Sequence, residues 1–373
     1  MNAPSSFRHG KVLRRHACIA GVTLSVALSL CADPRNALAN ADQHVVAATE
    51  VKNLSVENGI PPRLQWEANY GYCGEVALIS AGLYYGQYVS QYDARAIASK
   101  NIDQSRQESQ LLLGVNDTYA AKRMRLKAVQ WNTDAKPSGD DFLAWVKENV
   151  ASGYPVIVGV YMNHYLFEDS DDEDAGEEEY DHIVPVIGVS SSRPFTKPSR
   201  YYSDDVITFS DNGLYSGDGQ PAYLYRYAFG SFQASRKEAN SKSRPVYSLR
   251  RNGGNYGIAV TGIIDRDGKT LPIRLSTNVN YEKPAMREGS NTRPKPQTLI
   301  LTVNVSDLRP GVPYTLYRYN NFDSVPEASF NANASKASKS WKFTVKAGST
   351  FAVTEEISSD QTAVYRAVPN TAP

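Results

Sequence analysis

Tyr70-Gly71-Tyr72-Cys73-Gly74-Glu75-Val76-Ala77-Leu78-Ile79 sets a cysteine after a glycine-containing turn and directly before a run of helical periodicity. Val76, Ala77, Ile79 and Leu83 recur at three- and four-residue spacing and give one apolar face to bury. The spacing predicts a helix over 73–87 with Cys73 in its first turn. There the unpaired N–H groups and the positive end of the helix dipole favour a thiolate over a thiol, and the thiolate is the nucleophilic form. A buried structural cysteine is the competing reading, because free cysteines also serve as small core residues. The rest of the chain discriminates between the two.

Upstream, Arg8, Lys11, Arg14 and Arg15 form a basic leader, Ala17 to Ala32 is an apolar core, and Ala37-Leu38-Ala39 supplies a small-x-small cleavage pattern. Residues 1–39 therefore read as a signal peptide, and the mature chain is expected to be secreted or periplasmic. The apolar run is short for a membrane span and none comparable follows. Leu30 is too bulky for the position before an acylated Cys31. Of the three cysteines, Cys18 and Cys31 leave with the leader. Cys73 then has no internal partner, and a lone cysteine in an oxidising compartment points to a reactive thiol or an intermolecular bond. Five basic and one acidic side chain depart with the leader, taking the net charge from +1 to −3. That balance carries no nucleic-acid or membrane-surface signature. A hydrophobic share of 41% is globular, and a mature length of roughly 330 residues predicts two domains.

The first, over 40–230, reads as helices followed by strands. After an arm ending at Pro61-Pro62 come the cysteine helix, a short helix over 93–100, and helical composition over 105–113 and 117–129. The last carries Lys122, Arg123, Arg125 and Lys127, read as a solvated face. Ser138-Gly139-Asp140-Asp141 opens a further helix with Phe142, Trp145, Val146 and Val150 as its apolar stripe, stopped by Gly153. Strands are expected over 155–162, over 182–189 with Pro185 marking an edge or a bulge, and over 205–210, the last ending in an Asp211-Asn212-Gly213 turn. Between the first two, residues 168–181 hold ten carboxylates among fourteen residues, a solvated loop rather than a packed one. Asp169, Asp171 and Glu173 alternate as calcium ligands do, but the glycine is at the wrong offset for an EF-hand loop. No metal or cofactor is assigned.

Residues 231–247 are polar and basic and read as a linker. Beyond them, over 248–373, short strands are expected at 256–264, 271–279, 298–305, 314–319, 341–346, 351–356 and 362–367, separated by turn signals such as Asp267-Gly268 and Pro310-Gly311. That spacing fits a β-sandwich of immunoglobulin or fibronectin type. The whole is α+β followed by all-β.

A thiolate nucleophile needs a base, and the base an orienting group. His182 opens a buried strand and is the favoured base; His164, beside the acidic loop, is the reserve, and His44 lies in the arm. Asp211, after the next strand, is the favoured orienter, with Asn212 as its alternative. The order Cys, His, Asp/Asn is informative. In Gly71-Tyr72-Cys73-Gly74-Glu75, in Gly153-Tyr154-Pro155-Val156-Ile157-Val158-Gly159 with Asp181-His182-Ile183-Val184-Pro185-Val186-Ile187-Gly188, and in Ile207-Thr208-Phe209-Ser210-Asp211-Asn212, the chain resembles the papain-like cysteine peptidase superfamily, especially its bacterial branch similar to the double-glycine leader peptidases. The resemblance covers about 63–230. It implies Cys73 as nucleophile, His182 as base and Asp211 as orienter, cleaving an amide of a peptide or protein substrate through an acyl-enzyme.

One departure concerns the oxyanion. The family places a glutamine six residues before the cysteine, where this chain has Glu67, whose carboxylate would repel the developing charge. Gln65 is taken in its place, with Asn69 as the alternative, beside the backbone N–H of Cys73. The acidic run before His182 would raise the imidazole pKa and attract basic substrates. Two other readings stay open: an acyltransferase or transglutaminase-like enzyme delivering the acyl group to an amine, and a papain-like domain that binds peptide or glycan without turnover.

Overall fold

The computed structural model describes residues 54–60, 63–163, 180–215, 221–234, 238, 246–279 and 286–370, the side chains of 214, 215 and 221–223 excepted. The leader, His44, His164, the acidic residues 168–179 and most of the expected linker lie outside them. Among the described residues the chain is α+β, with four α-helices and mostly antiparallel sheets.

The cysteine helix α1 (Cys73–Tyr84) is buried from Gly74 to Leu83 without interruption. The expectation of a single apolar face is corrected: a helix apolar all round is one packed on every side. It lies against a large sheet on one flank and α2 (Gln91–Ser99) and the downstream strands on others. Gly74 is required by close approach, since a Cβ there would fall 2.1 Å from the Leu111 carbonyl oxygen. The helix expected over 105–113 is a single 3-10 turn, Gln107–Ser109. Side chains take over its backbone groups: Leu111 N donates to Glu75 and Leu112 N to Asn116 Oδ1, while Asn116 Nδ2 donates to the Gln110 carbonyl. Such local bonds compete with the helical ladder. Likewise α3 (Asp117–Arg123) stops early, because Arg125 takes a left-handed φ of 59°, and the rest of that expected helix is a strand. Arg123 and Arg125, read as a solvated face, pair with Asp323 and Glu327. Helix α4 (Gly139–Ala151) begins as expected with a capping box between Ser138 and Asp141, worth about 1 kcal/mol.

The strands in chain order are β1 (Leu54–Glu57), β2 (Gln87–Tyr88), β3 (Leu126–Gln130), β4 (Val156–Met162), β5 (His182–Ser191), β6 (Val206–Tyr215), β7 (Pro221–Ala228), β8 (Tyr247–Ser248), β9 (Gly257–Ile263), β10 (Ile273–Thr277), β11 (Thr298–Val305), β12 (Pro313–Tyr319), β13 (Lys339–Thr344), β14 (Phe351–Ser358) and β15 (Ala363–Pro369). The large sheet runs β3-β9-β4-β5-β6-β7, with β1 added to β5 and β8 to β4. Alternation along β4 sends Ile157 to the core shared with α1 and Val156, Val158 and Val160 to the core beneath α4, as the two-residue period of a strand requires.

Pro185 sits in the interior strand β5 rather than at an edge, and the register against β6 shifts between Val186 and Gly188. The bulge is the alternative that holds. Strand β6 does not end at residue 210; it continues to Tyr215, with Asp211 paired to Tyr223 of β7. Asp211 is thus a strand residue, not a turn residue.

Two smaller sheets, β10-β11-β14 and β13-β12-β15-β2, complete the fold. Leu299, Leu301, Val303 and Val305 alternate inward along β11 and join one continuous core with Ala77, Leu78 and Leu83 of α1. The expected boundary at 248 is corrected here. Strand β9, assigned to the β-rich half, is the bridge between β3 and β4 in the large sheet, and β2, from the first half, pairs with β15. Tyr247 and Ser248, at the seam between expected linker and sandwich, form a strand against β4.

Candidate active site

Cys73 is the first residue of α1 and is half-buried, open to solvent on one side. The turn before it is unusual: Asn69, Tyr70 and Gly71 have φ of 50°, 68° and 78° in succession. Two of these are non-glycine residues in a region they seldom enter, so the turn is held from outside. The buried guanidinium of Arg95 donates from Nε to Glu75 Oε1 at 2.7 Å, from Nη1 to the Asn69 carbonyl at 2.8 Å, and from Nη2 to the Gly71 carbonyl. Its plane also lies 3.5 Å over the Tyr72 ring. Breaking such a buried pair from one side costs about 3–5 kcal/mol.

Opposite the turn, His182 at the start of β5 is 5% exposed and hydrogen-bonds through Nε2 to Asp211 Oδ1 at 2.9 Å. A carboxylate only accepts, so Nε2 carries the hydrogen, and Nδ1 is the remaining ring nitrogen. The Cys73 side chain is the ring's other neighbour. Burial alone would lower the imidazole pKa; the charge and hydrogen bond of Asp211, then the contact with Cys73, outweigh it and raise the value to about 10. Burial would conversely raise Asp211, yet His182, Tyr247 and the Gly213 N–H together hold it below the ordinary carboxylate value. Gly213 N donates to Oδ1 at 3.0 Å and the Tyr247 hydroxyl to Oδ2 at 2.6 Å.

Gln65 lies beside this dyad. Its backbone N–H donates to the Asn212 carbonyl at 2.8 Å. Its Nε2 is 3.4 Å from the positions a Cβ would take on Gly71 and on Gly213, and His182 Cε1 is equally close to the latter. The amide therefore sits between the cysteine turn and the imidazole, and its Oε1 is buried without a hydrogen-bond partner. Glu67 is exposed.

The alternatives fall elsewhere. Asn212 donates its amide to the carbonyls of Cys73 at 3.1 Å and Ile183 at 3.2 Å, tying β6 to α1 and β5 rather than to the imidazole. Asn69 turns both ends of its amide away, Nδ2 donating to the Ser290 carbonyl and Oδ1 accepting from Gly289 N, each at 2.8 Å. Tyr180 walls the sulfur side: its ring covers Gly159, where a Cβ would be 2.7 Å away, and its hydroxyl donates to the Leu113 carbonyl at 3.0 Å. Burial, then the neighbouring Cys73, push that hydroxyl well above the ordinary tyrosine value.

Tyr247, Tyr180 and Arg95 carry no period or motif that singles them out in the sequence. Glu75 did carry a signal: it is the sole charge in a buried apolar run and so demanded a cation. Among the described residues no cluster of histidine, cysteine and carboxylate side chains is arranged to hold a metal ion, and no helix is long and apolar enough to cross a membrane. Searches against family models, curated proteins and solved structures return no match for this chain.

Proposed function

We propose that this chain is an exported papain-like cysteine peptidase, or a closely related amide hydrolase, acting on peptide or protein substrates. The observation that carries the reading is the convergence of Cys73, at a helix N-terminus, on a His182 whose far nitrogen is bound 2.9 Å from a buried Asp211. A structural cysteine needs no imidazole, and an imidazole facing a sulfur needs no buried carboxylate behind it.

In this reading the Cys73 sulfur attacks the carbonyl carbon of the scissile amide. The oxyanion that forms is met by the Cys73 N–H, one of the groups a first helical turn leaves without an internal partner, and by the Gln65 amide. His182, as imidazolium, gives the Nδ1 proton to the departing amine, the C–N bond breaks, and a thioester remains. Water then attacks the thioester, returns a proton to His182, and releases the carboxylic acid and the thiolate. Asp211 keeps Nε2–H pointed away from the sulfur throughout, so that the correct nitrogen faces the reaction.

The test is the rate of iodoacetamide alkylation of Cys73 between pH 4 and 10, in the native protein, a His182→Ala variant and the urea-unfolded chain, followed by peptide-library cleavage. The native thiol is expected to react below pH 7 far faster than the unfolded one. Loss of His182 is expected to remove that advantage and to lower cleavage by about 10²–10⁴-fold. A thiol that reacts like the unfolded chain, with or without His182, sinks the proposal.

A further inference from the structure

The three left-handed residues before Cys73 have a local bond, from Gly71 N to the Ala68 carbonyl at 2.9 Å, and further bonds that come from far along the chain. Asn69, wholly buried, is gripped at three points by residues more than two hundred positions downstream. Its backbone N–H donates to Glu288 Oε2 at 2.9 Å, its Nδ2 donates to the Ser290 carbonyl at 2.8 Å, and its Oδ1 accepts from Gly289 N at 2.8 Å. Arg95 then fixes the carbonyls of Asn69 and Gly71. With these oxygens pinned, the peptide planes from Asn69 to Tyr72 have little freedom, and the next plane carries the Cys73 N–H. The Gln65 amide rests against the same turn at Gly71. Both donors assigned to the oxyanion are therefore set by the shape of residues 69–71.

We infer that the segment Glu288-Gly289-Ser290 is a positioning clamp for the oxyanion site, acting through Asn69 on the Cys73 N–H and the Gln65 amide. The clamp rests on the peptidase reading of the site. It assigns the downstream half a part in the chemistry. Asn69, considered from sequence as a direct oxyanion donor, becomes a positioning residue. Held dipoles stabilise a transition state only while they stay aimed at it, and misplacement of about 1 Å costs on the order of 10²-fold.

The test separates the thiol from the oxyanion on the same sulfur. Iodoacetamide alkylates by displacement at a saturated carbon and forms no oxyanion. Acetylation by p-nitrophenyl acetate passes through a tetrahedral oxyanion, makes the Sγ–acetyl bond and expels p-nitrophenolate, which is read directly. Asn69→Gly keeps a residue at ease with positive φ while deleting both side-chain bonds, and Glu288→Ala removes the bond to the backbone from the other side. Each is expected to slow acetylation of Cys73 by tenfold or more while alkylation stays within about twofold, and the double variant is expected to lose less than the product of the two, as coupled groups do. Glu288→Gln, which still accepts the Asn69 N–H, is expected to restore acetylation. Acetylation unchanged in both single variants, or acetylation and alkylation falling in parallel, overturns the clamp. A failure of the underlying reading looks different: native protein would acetylate no faster than unfolded chain, and His182→Ala would change neither rate.

Discussion

The proposed base and the proposed nucleophile of the site are held by different physical means. His182 and Asp211 lie on the neighbouring strands β5 and β6, and their side chains meet at 2.9 Å beyond the register shift at Val186 and Gly188. Cys73 instead stands at the end of a turn with three successive positive φ angles, and that turn exists because Arg95 and a distant loop hold it. The comparison teaches that one half of the site is specified by local pattern and the other by long-range polar contacts. The two should fail differently when disturbed.

The largest expected effect is on the turn side. Arg95→Met strands the Glu75 carboxylate, whose side chain is 1% exposed, and frees two turn carbonyls. Unfolding in urea is expected to show a loss of about 3–5 kcal/mol, with partial recovery in the Arg95→Met/Glu75→Gln double variant. No recovery would mean that the carbonyl contacts, not the ion pair, carry the loss. Gly74→Ala comes next. Its Cβ would collide with the backbone oxygen of Leu111, which no side-chain rotation relieves, and about 1–3 kcal/mol is expected from the same measurement.

The sheet side is expected to respond more gently and mainly through pH. Tyr247→Phe removes one donor from Asp211 Oδ2, at a cost of about 1–2 kcal/mol at neutral pH. Because that hydroxyl helps keep the Asp211 pKa low, its loss moves the folded value upward. Stability that is present above the ordinary carboxylate range and lost as pH falls through the folded pKa is then lost sooner, so acid unfolding followed by circular dichroism should begin at higher pH. At the other end, His182 is raised from 6.5 to about 10. Its contribution is complete below about 6.5 and is lost as pH rises through about 10. The stability gap between wild type and His182→Gln should accordingly be level from pH 5 to 6.5 and close toward 10, and a gap that widens with pH would contradict the assignment. The smallest effect is reserved for Arg293→Ala. Its ion pair with Asp93 is 38% and 21% exposed, so a melting measurement should register no more than about 1 kcal/mol.

Much of the sheet side was legible in the sequence. β-branched runs mark β4, β5 and β6, and the order of Cys73, His182 and Asp211 along the chain points to residues that the fold places near one another. Helix α4 was readable down to its cap because Ser138 and Asp141 satisfy each other within three residues. What escaped was set at long range. Residues 105–113 had helical composition, but Glu75 and Asn116 took their N–H groups, and Glu75 approaches from a different element. Residues 126–130 follow an arginine forced left-handed and pair with β9, whose arrival no local window reveals. Tyr247 lay where composition suggested a linker, yet it closes the hydrogen-bond shell of Asp211. Periodicity changes at 248, but periodicity does not say which sheet a strand joins.

The pairing of β15 with β2 has a consequence for the order of assembly. Arg366 in β15 donates to the Tyr85 carbonyl at 3.2 Å and to Gln87 Oε1 at 3.0 Å, and the Tyr88 hydroxyl donates to the Ser359 carbonyl at 2.8 Å. The end of the cysteine helix is thus sealed by a segment that leaves the ribosome hundreds of residues after Cys73 has emerged. Contacts of such separation close late, because the loop between them must be ordered first. A nascent chain already carrying the thiol, the imidazole and the carboxylate still lacks the strand that seats the cysteine helix. The surroundings of Cys73 are therefore completed among the final events of folding.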